Sequence, residues 1–180
     1  LAPVKHKFIK IPARLSPGDT IGIVAPAGAY DQETFARGTG YIEELGFKVF
    51  VPSGLLDANG YLAGSDLHRA RFVNQLFADK RIDAIICARG GYGSLRILPL
   101  LDYQAIADNP KVFIGFSDIT VLLTVLAERS GLATFHGPVV TSLADASGKT
   151  LDFLMQAVSS DTKLEIKVDR GITIKPGSAS

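Results

Sequence analysis

Along this chain, short runs of consecutive apolar residues alternate with longer stretches in which apolar positions recur every three or four residues. Thr20-Ile-Gly-Ile-Val-Ala25, Lys48 to Val51, Asp83-Ala-Ile-Ile-Cys-Ala88, Val112 to Gly115 and Leu132-Ala-Thr-Phe-His136 are runs of the first kind. Several are β-branched and bounded by Gly or Pro, which predicts buried strands. Between them the period changes. A helix is expected over Gln32 to Leu45, with Phe35, Ile42 and Leu45 on one face and Gly46 as its stop. Ser65-Asp66 caps a second helix whose apolar face is Leu67, Ala70, Val73, Leu76 and Phe77. Helical turns follow over Ser94 to Leu101, disturbed by Pro99, over Tyr103 to Asp108, and from Asp118 to about Arg129. Residues 1–17 read as an extended, proline-punctuated arm, and Ser53 to Gly64 as a glycine-rich surface loop. Strands alternating with helices at this spacing, apolar on both faces, predict an α/β fold. It is doubly wound, with a mostly parallel sheet and helices on both faces.

Beyond about Gly148 the character changes. Thr150 to Val158 has helical periodicity, and Leu164 to Asp169 alternates Leu164, Ile166 and Val168 with charges, as a half-exposed antiparallel strand does. The last ten residues contain no closing element. The division expected is therefore a domain over 1–148, then a linker and the start of a second domain over 149–180.

Composition narrows the function classes. A chain of 180 residues with 47% hydrophobic residues and 18 glycines can bury a core and turn often. The formal net charge is +1 and no basic stripe stands out, which argues against nucleic acid or an anionic membrane surface as partner. No apolar run approaches the roughly 20 residues of a membrane span. With Cys87 as the one cysteine, an internal disulfide and a multi-cysteine metal site are excluded. Neither G-x-G-x-x-G in the first strand–helix loop nor G-x-x-x-x-G-K-[ST] anywhere is present, so the usual dinucleotide and nucleoside triphosphate signatures are missing.

In doubly wound sheets, ligands bind beyond the carboxyl ends of the strands. Ala25–Ala29, Arg89–Gly93, Ser117–Asp118 and His136–Pro138 all fall there. At Ser117 the pattern switches abruptly from strand to helix. A serine at such an elbow projects its hydroxyl outward and has backbone N–H groups beside it, which suits a nucleophile. The plainer reading of that stretch taken alone is a helix N-cap, a position serine often fills. Arg89-Gly-Gly-Tyr-Gly93 offers the Gly91 N–H as an oxyanion donor beside that of Asp118. Arg89 reads either as a clamp for a substrate carboxylate or as half of a structural salt bridge. Of the three histidines, His6 lies in the arm and His68 on a polar helix side. His136 sits at a strand end, as base, packing residue or substrate contact. Asp118 is better placed to cap its own helix than to orient a histidine. A complete triad is not visible.

Taken together, several segments resemble the LD-carboxypeptidases of peptidoglycan recycling. They are Pro17-Gly-Asp, Val-Ala-Pro-Ala-Gly28, Leu62-Ala-Gly-Ser-Asp66, Cys87-Ala-Arg-Gly-Gly-Tyr-Gly-Ser-Leu-Arg-Ile-Leu-Pro99, Leu101-Asp-Tyr103, Pro110 to Thr120 and Gly131-Leu-Ala-Thr-Phe-His-Gly-Pro138. The match runs in order along essentially the whole chain. The fold it implies is flavodoxin-like, or class I glutamine amidotransferase-like, followed by a C-terminal domain. By resemblance Ser117 is the nucleophile of a Ser–Glu–His triad, and the N–H groups of Gly91 and Asp118 form the oxyanion hole. Arg89, Tyr92 and His136 become substrate-binding candidates, with no metal and no cofactor. The family's Glu and His lie in the C-terminal domain, so the chain is expected to be the nucleophile-bearing half, inactive alone. The implied activity is release of terminal D-alanine from murein tetrapeptides by a cytoplasmic homodimer. Leu1 in place of Met leaves a periplasmic form open. Alternatives are a branch of the family that hydrolyses a peptide–nucleotide antibiotic in self-immunity, and a non-catalytic ligand-binding module.

Overall fold

A computed structural model describes residues 9–162. The strand expected over Leu164 to Asp169, and His6, lie outside the described residues. Five parallel strands form one sheet in the order β2-β1-β3-β4-β5, with β1 Thr20–Val24, β2 Lys48–Phe50, β3 Ala84–Cys87, β4 Val112–Gly115 and β5 Phe135–His136. All four pairings are parallel. The order is that of flavodoxin-like folds, and the expected class is correct.

The helices are α1 Gln32–Glu44, α2 Asp66–Ala78, α3 Ser94–Ile97, α4 Tyr103–Asp108, α5 Thr120–Ser130, α6 Val140–Leu143 and α7 Gly148–Ser159. Pro99 turns the end of α3 into a 3₁₀ turn over Leu98–Leu100. Helix α2 packs on both α3 and α4, α5 packs on the same two, and α1 packs on α6. Strands β1, β3 and β4 are almost wholly apolar because both faces are covered: Ile23, Ile85, Ile86, Phe113 and Ile114 are buried. Each such side chain contributes about 1.5–3 kcal/mol through loss of contact with water.

Four local expectations change. In α2, Leu67 is 70% exposed, whereas Arg69 and Phe72 are buried. The first turn of α2 lies at the rim of the sheet, where loop carbonyls require a donor more than the core requires a leucine. The loop over Ser53 to Gly64 is not merely a surface excursion, since Leu55, Leu62 and Ala63 are buried. It docks on the β1 loop through Ala29 N–H to Tyr61 O (2.9 Å) and Ala63 N–H to Ala27 O (3.0 Å). The fifth strand pairs with β4 only at its last two residues; Leu132 instead bridges Lys10 of the arm. Finally, α7 lays Leu151, Leu154 and Met155 on the core and buries Val158, so the first helix after residue 148 packs with this sheet.

Candidate active site

Strands β1 and β3 are neighbours, but their chains leave toward opposite sides of the sheet, which opens a crevice between the two following loops. The loops meet glycine on glycine. Gly28 N–H donates to Gly90 O at 3.0 Å, and a Cβ on Gly28 would come within 2.9 Å of that same oxygen. The loops can approach this closely only without side chains. The crevice widens into a cleft of about 620 Å³ lined by Gly28, Ala29, Tyr61, Arg89, Gly91 and Tyr92. Tyr61 and Tyr92 are 63% and 74% exposed, two aromatic faces open to a ligand.

Next along the sheet comes the end of β4. Ser117 has φ of 61°, and no other non-glycine residue among those described has a positive φ. Strain of this kind costs of order 1–3 kcal/mol and persists where the surroundings impose it. Ser117 begins a 3₁₀ turn, Ser117–Ile119, that leads into α5. Its hydroxyl caps neither segment, is exposed, and has no hydrogen-bond partner among the described residues. The β3 loop presses directly on it: a Cβ on Gly90 would lie 3.1 Å from Ser117 Cβ and 3.4 Å from Ser117 Oγ. Gly91 has φ of 112°, and neither its N–H nor that of Asp118 donates to another described residue. An exposed serine hydroxyl beside two uncommitted backbone donors is an arrangement suited to acyl transfer.

Asp118 does cap a helix, though not the one expected. Its Oδ2 accepts from Ser94 N–H at 2.9 Å, at the start of α3, and the Ser94 hydroxyl donates to Asp118 O at 2.6 Å. The helix begins at Gly93 in a left-handed conformation, so no side chain of its own covers that amide. The reciprocal pair ties the β3 loop to the serine elbow.

Beneath the loops lies Arg69, 1% exposed. Its Nε donates to Gly64 O (3.1 Å), its Nη1 to Gly93 O (2.9 Å) and to Pro26 O, and its Nη2 to Asp66. Burial lowers the Arg69 guanidinium from its ordinary value, and the Asp66 carboxylate opposes this. Asp66 itself is held below the usual carboxylate range, first by its hydrogen bond from Arg96. Arg96 Nε reaches Asp66 Oδ2 at 3.0 Å.

The remaining candidates are placed as follows. Arg89 is exposed, donates from Nη1 to Ala29 O at 2.8 Å, and forms no ion pair among the described residues; the structural salt bridge is absent there. Its other guanidinium donors are uncommitted. His136 ends β5, exposed, with its ring edge-on to Phe116 at 6.3 Å. Thus Arg89, Gly91 and Tyr92 share the cleft, Ser117 and Asp118 adjoin it through Gly90, and His136 stands on the far side of Phe116. Cys87 is fully buried, and burial pushes its thiol up, so it stays protonated. Among the described residues no group of three or more His, Cys, Asp and Glu side chains is arranged to hold a metal, and no helix is long and apolar enough to cross a membrane. Three residues that shape the site escaped pattern reading: Tyr61, Ser94 and Arg69. The one available signal was the Asp66–Arg69 spacing, three residues apart on a helix.

Residues 21–137 match the family described as the LD-carboxypeptidase N-terminal domain. A probable murein peptide carboxypeptidase of Bacillus subtilis is 40% identical over 131 residues, which cover 73% of this chain and 41% of that protein. The microcin C7 self-immunity protein MccF of Escherichia coli is 38% identical, over 75% of this chain and 40% of its own length. A structure of a microcin C7 self-immunity protein MccF in complex with aspartyl sulfamoyl adenosine superposes with a TM-score of 0.81 at 30% identity, covering 86% of this chain and 48% of that one. Muramoyltetrapeptide carboxypeptidase from Oxalobacter formigenes gives 0.72 at 30% identity, covering 78% and 48%. The chain thus spans about half the length of the relatives it matches.

Proposed function

The chain belongs to the LD-carboxypeptidase family of peptidases, and on that premise we propose that it carries the nucleophile of a serine-type enzyme releasing terminal D-alanine from murein tetrapeptides. One observation supports this above the rest: a strained, exposed, unbonded Ser117 set against a loop of glycines. In the proposed reaction Ser117 Oγ attacks the carbonyl carbon of the bond to D-alanine, and a histidine takes the hydroxyl proton. The carbonyl oxygen becomes an oxyanion held by the N–H groups of Gly91 and Asp118. Collapse breaks the C–N bond, and the histidine returns its proton to the departing amine. Water then hydrolyses the serine ester and regenerates Ser117. Arg89 takes the free carboxylate of D-alanine, while Tyr92 and His136 contact the peptide. The triad Glu and His come from a C-terminal part of the same protein beyond residues 1–180, while α7 stays with the nucleophile-bearing sheet. The complete protein works as a cytoplasmic homodimer and needs neither metal nor cofactor.

The test compares wild type and Ser117→Ala in the full-length protein, reading D-alanine release from murein tetrapeptide. Wild-type turnover with a loss of at least about 10³-fold in the variant supports the reading. Equal rates in both would remove Ser117 from the chemistry. The similarity to MccF, with its bound aspartyl sulfamoyl adenosine, favours one second reading: hydrolysis of a peptide–nucleotide antibiotic in self-immunity. A full-length protein that cleaves an aminoacyl sulfamoyl adenosine and leaves tetrapeptide intact belongs to that branch. Retained function in Ser117→Ala instead fits a non-catalytic ligand-binding module.

A further inference from the structure

We infer that Arg69, buried beneath the cleft, is a positioning residue for the oxyanion loop; this rests on the reading of Ser117 as nucleophile. Arg69 is among the largest fully buried side chains, and its guanidinium meets backbone carbonyls from three different strand-end loops. Pro26 belongs to the loop after β1, Gly64 to the segment after β2, and Gly93 to the loop after β3. A planar fork of five donors can satisfy three divergent carbonyls and a carboxylate together; a lysine ammonium has only three donors at one point.

The bond to Gly93 is the consequential one. The β3 loop is held at its front by Gly28 N–H on Gly90 O (3.0 Å) and at its rear by Arg69 on Gly93 O (2.9 Å). One residue later, Ser94 N–H is on the Asp118 carboxylate at 2.9 Å, and Asp118 follows Ser117 directly. Gly91 and Tyr92 hang between these two fixed points. Gly91 keeps a positive φ and an uncommitted N–H, so nothing within the loop itself sets where that N–H points. The orientation is imposed from beneath. Asp66 holds the guanidinium in register, and Arg96 fixes Asp66 from the surface side. Arg69 therefore acts on the reaction through Gly93 and Gly91 without touching substrate.

The experiment uses the full-length protein with Arg69→Met and Arg69→Lys, at a temperature where circular dichroism shows each folded. Kinetics of D-alanine release are paired with amide hydrogen exchange. An oxyanion donor works on the transition state, so misplacing it lowers kcat and spares KM. The expected result for Arg69→Met is a kcat about 100-fold below wild type with KM within about twofold, since losing one such donor costs about 10²–10³. Faster exchange is expected at residues 90–94, with α1 unchanged. Should Arg69→Met fail to fold, Arg69→Lys decides: a reduced kcat at wild-type KM supports the role. A folded variant with wild-type kcat, or one whose activity falls only with its folded fraction, overturns it. If wild type itself releases no D-alanine, or Ser117→Ala retains activity, it is the functional reading that fails. The exchange pattern then still decides whether Arg69 holds the loop: acceleration confined to residues 90–94 says that it does, and unchanged exchange there says that it does not.

Discussion

Two turns at the same edge of the sheet solve the same backbone problem in opposite ways. After β3 the chain reverses through Gly90, Gly91 and Gly93, and the two left-handed positions, φ 112° and 109°, both fall on glycine. After β4 it reverses through Ser117 with φ of 61° and no glycine at that position. At Gly90 and Gly91 the first turn carries no side chain because its neighbours leave no room: Ser117 presses on the one and Gly28 on the other. At the second, a left-handed residue is strained for want of glycine. What distinguishes them is whether a side chain is needed. In the function proposed for the site, backbone N–H groups suffice from the β3 turn, whereas the β4 turn must present a hydroxyl.

The glycine turn breaks most readily. Gly93→Ala places a methyl 2.6 Å from Leu62 Cδ2 and 3.2 Å from Arg69 Nη1, at a φ that L-residues rarely adopt. A loss of about 3 kcal/mol is expected, combining backbone strain with overpacking. Urea unfolding reads it as a lower midpoint at unchanged slope. A midpoint shift no larger than that of a surface substitution would mean the turn is looser than its contacts imply.

Asp66→Asn attacks the same turn from below, at about 2 kcal/mol, the scale of a hydrogen bond to a charged group. The pH dependence gives the sharper reading. In the folded protein the Asp66 carboxyl is depressed by Arg96 and then Arg69. Its contribution is therefore complete above the unfolded value near ~4 and is lost as pH falls through the lower folded value. The stability gap between wild type and Asp66→Asn should be constant from about pH 5 to 7 and narrow below about pH 4. A gap that widens on acidification would mean Asp66 is not the charge partner of Arg69.

How far each turn was legible follows from the kind of physics that sets it. Strands such as Ala84–Cys87 and Val112–Gly115 are readable because burial on both faces requires unbroken apolar residues. The serine elbow was visible as a switch of period between Gly115 and Leu122. The φ of Ser117 was not, since one position in a pattern fits a cap and a nucleophile alike; the unbonded hydroxyl excludes the cap. Periodicity misplaced the first turn of α2, counting Leu67 inward and passing over Arg69. Hydrophobic spacing reports which face meets the core, and that turn meets loop carbonyls instead. Asp118 was expected to cap its own helix, but its acceptor serves Ser94, 24 residues earlier, through a tertiary contact without local signature. The short helix α6 made no pattern at all, with only four residues.

The smallest effect tests the comparison most directly. If Ser117 occupies a conformation suited to glycine, then removing its hydroxyl in two ways should give different stabilities. Ser117→Ala keeps the Cβ and the strain, whereas Ser117→Gly discards both. Relief of a left-handed residue amounts to about 1–2 kcal/mol, and the added chain entropy of glycine in the unfolded state takes back about 0.5–1. Ser117→Gly should thus be the more stable of the two variants by about 1 kcal/mol, read as a higher unfolding midpoint. At Thr120, which begins an α-helix in ordinary geometry, the same pair of substitutions should favour alanine. Inversion of sign between positions 117 and 120 is what strain held for a hydroxyl predicts. If alanine is preferred at both positions, the β4 turn bears no strain, and its difference from the β3 turn lies in packing alone.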